Sequence, residues 1–102
     1  MVVGHFDPVY APHAHRLNQL RSPGQTLAVL LVDPPQPLLT LQARAELVAS
    51  LAAVDYVILS QDNAIEELIA RLAPDEVLQE TADDLQRTAS LATHVRQRQS
   101  AR

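Results

Sequence analysis

The chain has 102 residues, of which 47% are hydrophobic and 20% charged, and its formal net charge is −4. This length and balance predict one globular domain over residues 1–102. No cysteine is present and all eight basic residues are arginine, which excludes disulfides, thiol nucleophiles, lysine Schiff bases and Walker-type phosphate loops. The acidic balance disfavours nucleic-acid binding. Because no apolar run approaches the roughly 20 residues that span a bilayer, we expect a cytoplasmic protein without a membrane partner.

The first half of the chain alternates short apolar runs with a helical pattern. A brief apolar run over residues 1–6 predicts a first strand, and leucines at helical spacing predict a helix over residues 14–20. Residues 26–32 are continuously apolar, which is typical of a strand buried on both faces of a parallel sheet. The three prolines in residues 33–37 exclude regular structure there.

The second half continues the alternation. Thr40 is the predicted N-cap of a helix over residues 41–52, and residues 54–59 form a second strand of the buried type. Asp62 is the predicted N-cap of a helix over residues 64–72. A brief strand at residues 77–78 and a helix over residues 84–98 follow. The pattern predicts a three-layer, Rossmann-like α/β domain with a parallel sheet and right-handed crossovers.

Ligands of such sheets lie outside the C-terminal ends of the strands, where loops lead into helix N-termini. Residues 5–13 and 33–38 therefore form the predicted functional zone. A helix that starts near His13 would direct free backbone N–H groups toward an anion.

The stretch from Gly4 to His13, Gly-His-Phe-Asp-Pro-Val-Tyr-Ala-Pro-His, resembles the signature G-x-F-D-x-x-H-x-G-H of the cytidylyltransferase-like nucleotidyltransferases. Residues 66–75 are similar to that family's E-E-L-I…L-x-P-D passage, and the resemblance runs in order to about residue 80. The resemblance is strongest to the heptose-phosphate and glycerol-phosphate nucleotidyltransferases. The fold implied is a Rossmann-like sheet shortened in its C-terminal half.

The reaction that the resemblance implies is nucleotidyl transfer. CMP or AMP would pass from CTP or ATP to a sugar or alditol phosphate, with release of pyrophosphate and with Mg²⁺ bridging the triphosphate. Such transfers depend on positioning and charge neutralisation more than on covalent chemistry.

The same resemblance implies the site residues. His13 matches the second histidine of the signature and Tyr10 takes the place of the first, so both are the catalytic candidates. The nucleotide-binding candidates are Gly4, His5, Phe6, Asp7, Asp83, Arg87, Thr88 and Thr93. No metal-ligating residue is predicted, because the i, i+2 spacing of His13 and His15 points their rings to different helix faces.

Departures from the family pattern favour an alternative. Tyr10 cannot supply a cationic donor near neutral pH, Pro12 replaces the signature glycine, and Glu80 stands where the family has a lysine. The alternative is a catalytically degenerate protein that binds a nucleotide or serves as a dimerising scaffold. A homodimer also suits the thin core expected at this length.

Charge is distributed unevenly along the second half. Residues 62–84 are strongly acidic, whereas the chain from Arg87 onward has only basic charges. This pattern is consistent with a solvated acidic face followed by a basic tail, with an anion site near Arg87, or with a charge match between subunits. Arg44 is expected to pair with Glu46 or Asp55 on the surface.

Overall fold

The structure, a computed structural model, describes residues 1–60 and 65–100, except for the side chains of residues 92 and 94–100. Strands and helices alternate through these ranges, as the sequence predicts. The elements are β1 (Val2–Gly4), α1 (Ala11–Leu20), β2 (Ala28–Leu31), α2 (Leu41–Ala49), β3 (Tyr56–Leu59), α3 (Ile65–Leu72), β4 (Leu78–Gln79) and α4 (Thr81–Ser100). The predicted N-cap Asp62 lies outside the described residues.

Within the described residues, the strands form one parallel sheet in the order β3-β2-β1-β4. The chain adds β2 and β3 on one side of β1 and then crosses to the other side to add β4. The strand order therefore reverses beside β1. In parallel α/β sheets, this reversal opens the crevice in which ligands bind.

Alternate residues of the strands face two separate aliphatic cores. One face packs against α1 and α2, chiefly through Val2, Val29, Leu31, Leu17 and Val48. The opposite face packs against α3, chiefly through Val3, Leu30, Val32, Ile65, Leu68 and Ile69. Helices thus cover both faces of the sheet, and the predicted three-layer Rossmann-like fold is confirmed.

The helix starts follow local rules. The Thr40 hydroxyl accepts a hydrogen bond from the Ala43 amide at 3.1 Å, which confirms Thr40 as the N-cap of α2. Helix α1 starts at Ala11, three residues before the prediction, because Pro12 fits the first helical turn, where no intrahelical N–H bond is needed. Across the described part of the chain, no helix combines the length and apolar character needed to cross a lipid bilayer.

The expected surface location of Arg44 is wrong. Its side chain is fully buried, and its guanidinium donates to the carbonyl oxygens of His5 (2.9 Å) and Val32 (3.1 Å) and pairs with Asp33. Asp55 instead pairs with Arg21 at 3.1 Å. Arg44 is buried because the ends of β1 and β2 leave carbonyl groups without ladder partners, and its five donors satisfy them.

Candidate functional site

The loop between β1 and α1 lies at the point where the strand order reverses, and two of its backbone amides point to one oxygen atom. The amides of His5 and Phe6 donate to Oδ2 of Asp84, in the first turn of α4, at 2.8 and 3.4 Å. Phe6 has φ of 50°, a left-handed conformation that is rare for a bulky side chain. Its ring is buried in the core, which holds the loop in this conformation.

The imidazole of His13 completes one side of this site. His13 is 1% exposed, and its Nε2 lies 2.8 Å from Oδ1 of Asp84. Its Nδ1 accepts a hydrogen bond from the Tyr10 amide at 3.3 Å, so the proton is on Nε2, which donates to the carboxylate. The ring packs against Phe6 and Tyr10, with centroids 5.0 and 5.1 Å away.

Asp84 is therefore a buried carboxylate surrounded by donors. Besides the two amides and the imidazole, Nη1 of Arg87 donates to its Oδ1 at 2.8 Å. Burial raises the pKa of the Asp84 carboxyl, but its bonds to His13, His5 and Arg87 outweigh burial and leave the pKa below its usual range. The group is thus an anion at neutral pH.

Gly4 makes room for that anion. A Cβ atom at this position would lie 2.4 Å from Oδ2 of Asp84 and 2.6 Å from the ring of Phe6. The glycine is required by close approach to a charged group, as expected of a backbone that must meet an anion.

Two further contacts fasten α4 over the loop. The Tyr10 hydroxyl donates to the carbonyl oxygen of Arg87 at 3.1 Å, and the Thr88 hydroxyl donates to the carbonyl oxygen of Asp7 at 2.8 Å. Arg87 also lies 3.7 Å from the buried Glu80. The start of α4 consequently covers the crevice beside β1.

The structure gathers most of the predicted site residues around Asp84: Gly4, the amides of His5 and Phe6, Tyr10, His13, Arg87 and Thr88. Two predicted residues have other contacts. The ring of His5 lies 3.0 Å from the carbonyl oxygen of Val32, and the carboxylate of Asp7 accepts the amides of Leu38 and Leu39 at 2.6 and 2.8 Å. Asp7 therefore braces the loop that follows β2.

The remaining two predicted residues lie away from this cluster. Asp83 is exposed, and the exposed Thr93 donates its hydroxyl to the carbonyl oxygen of Ala89 in its own helix. The family pattern pointed to Asp83, whereas the structure places its neighbour Asp84 in the site. Spacing along the helix does not separate the two residues, because Asp84 and Asp83 lie i, i+3 and i, i+4 from Arg87 and either spacing allows an ion pair.

Glu80 makes contacts that the sequence did not predict. Its carboxylate is buried, and Oε1 pairs with Nε of Arg16 at 2.9 Å. Arg16 and Arg87 compensate the negative charge of Glu80.

The residues present do not fit a protein-held Mg²⁺. Within residues 1–60 and 65–100, no group of three or more His, Cys, Asp or Glu side chains is placed to hold a metal ion. The carboxylates of Asp7 and Asp84 face N–H donors, which are surroundings suited to an anion and not to a cation.

A separate cavity of about 770 Å³ lies at the opposite end of the strands, where they begin. Its lining includes Met1, Arg21, Tyr56 and Leu72, and it contains none of the groups that surround Asp84. We place the functional site at the loop after β1, because charged and polar donors converge there.

A parallel sheet with helices on both faces and a strand order that reverses beside β1 defines a Rossmann-like α/β protein. The chain belongs to the cytidylyltransferase-like family, whose family model matches residues 1–98. This membership confirms the resemblance found in the sequence.

Three curated relatives share the bifunctional protein name HldE. The chain is 38% identical to HldE of Magnetococcus marinus over 89 residues, which cover 78% of this chain and 18% of that protein. It is 33% identical over 81 residues to HldE of Hydrogenovibrio crunogenus and to HldE of Azotobacter vinelandii, in each case covering 71% of this chain and 17% of the relative. The chain thus spans less than a fifth of the length of these relatives. No solved structure matches it significantly.

Proposed function

We propose that this chain is a nucleotidyltransferase domain that binds CTP or ATP at the loop after β1. It transfers CMP or AMP to a sugar or alditol phosphate and releases pyrophosphate. Family membership supports the reaction class. The observation that carries the proposal is the convergence of two amides, an imidazole N–H and a guanidinium on one buried anion.

This donor set suits a phosphate group. Backbone amides and a histidine N–H contact individual oxygens, and an arginine neutralises charge, so together they hold a phosphoryl group in a fixed orientation. Nucleotidyl transfer needs this kind of positioning, because the acceptor phosphate must attack the α-phosphorus opposite the leaving pyrophosphate. Any Mg²⁺ enters with the triphosphate, since the described side chains do not hold it.

Binding is tested by thermal unfolding with millimolar CTP or ATP, with and without Mg²⁺. Nucleotide at ten times its Kd adds about 1.4 kcal/mol of stability, which raises the Tm by roughly 5–10 °C in a domain of this size. His13→Ala should abolish the shift. His15→Ala, which changes an exposed histidine of the same helix, should retain it. An unchanged Tm of the unmodified chain at millimolar nucleotide would contradict the proposal.

Transfer is tested by pyrophosphate release with a panel of sugar and alditol phosphates. In the structure the Tyr10 hydroxyl is used to hold α4 through the carbonyl oxygen of Arg87. Tyr10→His combined with Pro12→Gly restores the family signature and removes that bond, so we expect faster pyrophosphate release than in the parent. An equal rate would place the limitation elsewhere in the chain.

A second candidate function is nucleotide binding without catalysis. The observation that favours it is the occupation of the donor set by Asp84 together with the use of Tyr10 as a structural contact. The two candidates differ in one result: a degenerate protein shows the nucleotide-dependent rise in Tm but releases no pyrophosphate with any acceptor.

A further inference from the structure

We propose that Asp84 is an internal ligand of the anion site, and that its carboxylate holds the position of a phosphate group and closes the site. A phosphate-bearing ligand then binds only when the first turn of α4 moves away from the loop after β1. This inference rests on the proposed function and adds to it the group that regulates access to the same site.

The contacts of Asp84 are those of a bound anion. Both oxygens face N–H donors: Oδ2 accepts the His5 and Phe6 amides, and Oδ1 accepts the His13 imidazole and the Arg87 guanidinium. The side chain is fully buried. Phosphate can use the His5 and Phe6 amides and the His13 imidazole, because carboxylate and phosphate oxygens both accept hydrogen bonds of this kind. Arg87 lies on α4 and moves with it.

The donors and the anion come from opposite ends of the chain. His5 and His13 lie near its start, and Asp84 enters on α4 more than 70 positions later. The amides, on the loop after β1, and the imidazole, on α1, therefore stay in place when α4 moves. The cleft left by Asp84 would be lined by unpaired donors, which a free anion satisfies.

The start of α4 is attached mainly through polar contacts, which makes release of its first turn feasible. Among the described residues, the fully buried hydrophobic side chains all precede α4, the last being Ala53. Leu85, next to Asp84, is 44% exposed. The start of α4 is instead held by Asp84 and by the hydroxyl contacts of Tyr10 and Thr88. A segment with little buried apolar surface opens at a lower cost than the core.

An internal ligand lowers apparent affinity in a defined way. The measured Kd equals the intrinsic Kd divided by the fraction of molecules in which the site is open. Removing the Asp84 side chain leaves the amide and imidazole donors free of the internal carboxylate in every molecule. The affinity for a free anion must then rise by the factor by which closure had lowered it.

The test is calorimetric titration of the full chain with inorganic phosphate and with pyrophosphate. Asp84→Ala should bind pyrophosphate at least tenfold more tightly than the unmodified chain, and adding His13→Ala should remove the gain. Glu67→Gln is the matched control, because it removes one negative charge from the exposed first turn of another helix. It should bind as the unmodified chain does. An Asp84→Ala protein that binds no more tightly, or a gain that survives His13→Ala, overturns the inference.

Asp84→Asn provides a second variant where Asp84→Ala does not fold. It keeps the shape and one acceptor oxygen but turns an amide N–H₂ toward the donors, so pyrophosphate should raise its Tm more than that of the unmodified chain. An equal rise overturns the inference. Tighter phosphate binding without any Tm rise from CTP or ATP supports the inference and contradicts the proposed function. If CTP or ATP stabilises the unmodified chain and Asp84→Ala equally, the proposed function is supported and the inference is contradicted.

Discussion

Gly4→Ala is the substitution that most sharply tests the placement of Asp84 against β1. The added methyl group would lie 2.4 Å from Oδ2 of Asp84 and 2.6 Å from Cε2 of Phe6. Displacing either neighbour lowers the stability of the fold, because the Asp84 carboxylate is held by four donors and the Phe6 ring is buried. We therefore expect Gly4→Ala to displace one of them.

The expected cost follows from two terms. Forcing a methyl group into a packed site costs about 1–3 kcal/mol. Displacing the Asp84 carboxylate weakens its bond from the His5 amide, and a hydrogen bond to a charged group is worth about 1.5–3 kcal/mol. The two terms sum to roughly 2.5–6 kcal/mol of unfolding free energy, which lowers the Tm by at least about 10 °C in a domain of this size.

The assay is urea and thermal unfolding followed by circular dichroism, with Gly24→Ala as the control. A Cβ at Gly24 would meet nothing within 4 Å, although its φ of 78° is a left-handed conformation. That strain alone costs about 1–2 kcal/mol. Gly4→Ala should therefore be clearly more destabilising than Gly24→Ala.

A double-mutant cycle isolates the contribution of Asp84. In an Asp84→Ala background the Oδ2 contact is gone and only the Phe6 contact remains, so Gly4→Ala should cost about 1.5–3 kcal/mol less than in the unmodified chain. Equal costs in the two backgrounds, or a Gly4→Ala cost no larger than that of Gly24→Ala, would refute the placement of the carboxylate.

Three further predictions concern the groups that position the site. Arg44→Leu should lower the unfolding free energy by about 3 kcal/mol, because the buried carbonyl oxygens of His5 and Val32 lose their guanidinium donor. The exposed Arg71→Leu should change it by less than about 0.5 kcal/mol in the same urea titration. Tyr10→Phe should cost about 1 kcal/mol in urea unfolding, because the carbonyl oxygen of Arg87 loses its donor, and a change below 0.3 kcal/mol would contradict the contact. The folded-state pKa of Asp84 is lowered, so the stability it contributes is full above about pH 4, the unfolded value, and is lost as the pH falls through the folded value. The urea midpoint of the unmodified chain should exceed that of Asp84→Asn, and this difference should shrink as the pH falls below about 4. A difference that grows would contradict the prediction.

The layout of the fold follows from local sequence signals. The continuously apolar residues 26–32 predict a strand covered on both faces, and β2 is one. Thr40 predicts a helix start, and its hydroxyl caps α2. Since β1 is followed by a loop and a helix, the position of the site at the end of β1 also follows from the pattern.

The side chains that occupy the site cannot be predicted from local signals. Asp84 reaches the loop across more than 70 positions of sequence, and no local pattern distinguishes it from the exposed Asp83 beside it. Arg44 reads as a polar residue on a helix, yet it is buried because it satisfies carbonyl groups at the ends of two strands. Both errors have one cause, which is that the partners of these charges are set by tertiary contacts.

The most direct test of an anion site at the loop after β1 is a ¹H–¹⁵N correlation spectrum of Asp84→Ala titrated with pyrophosphate. The largest shift changes should occur at the amides of His5 and Phe6, and the same addition should move them little in the unmodified chain. This site would be contradicted by shift changes centred on Tyr56 and Leu72, which line the cavity at the opposite end of the strands. It would also be contradicted by the absence of any shift change.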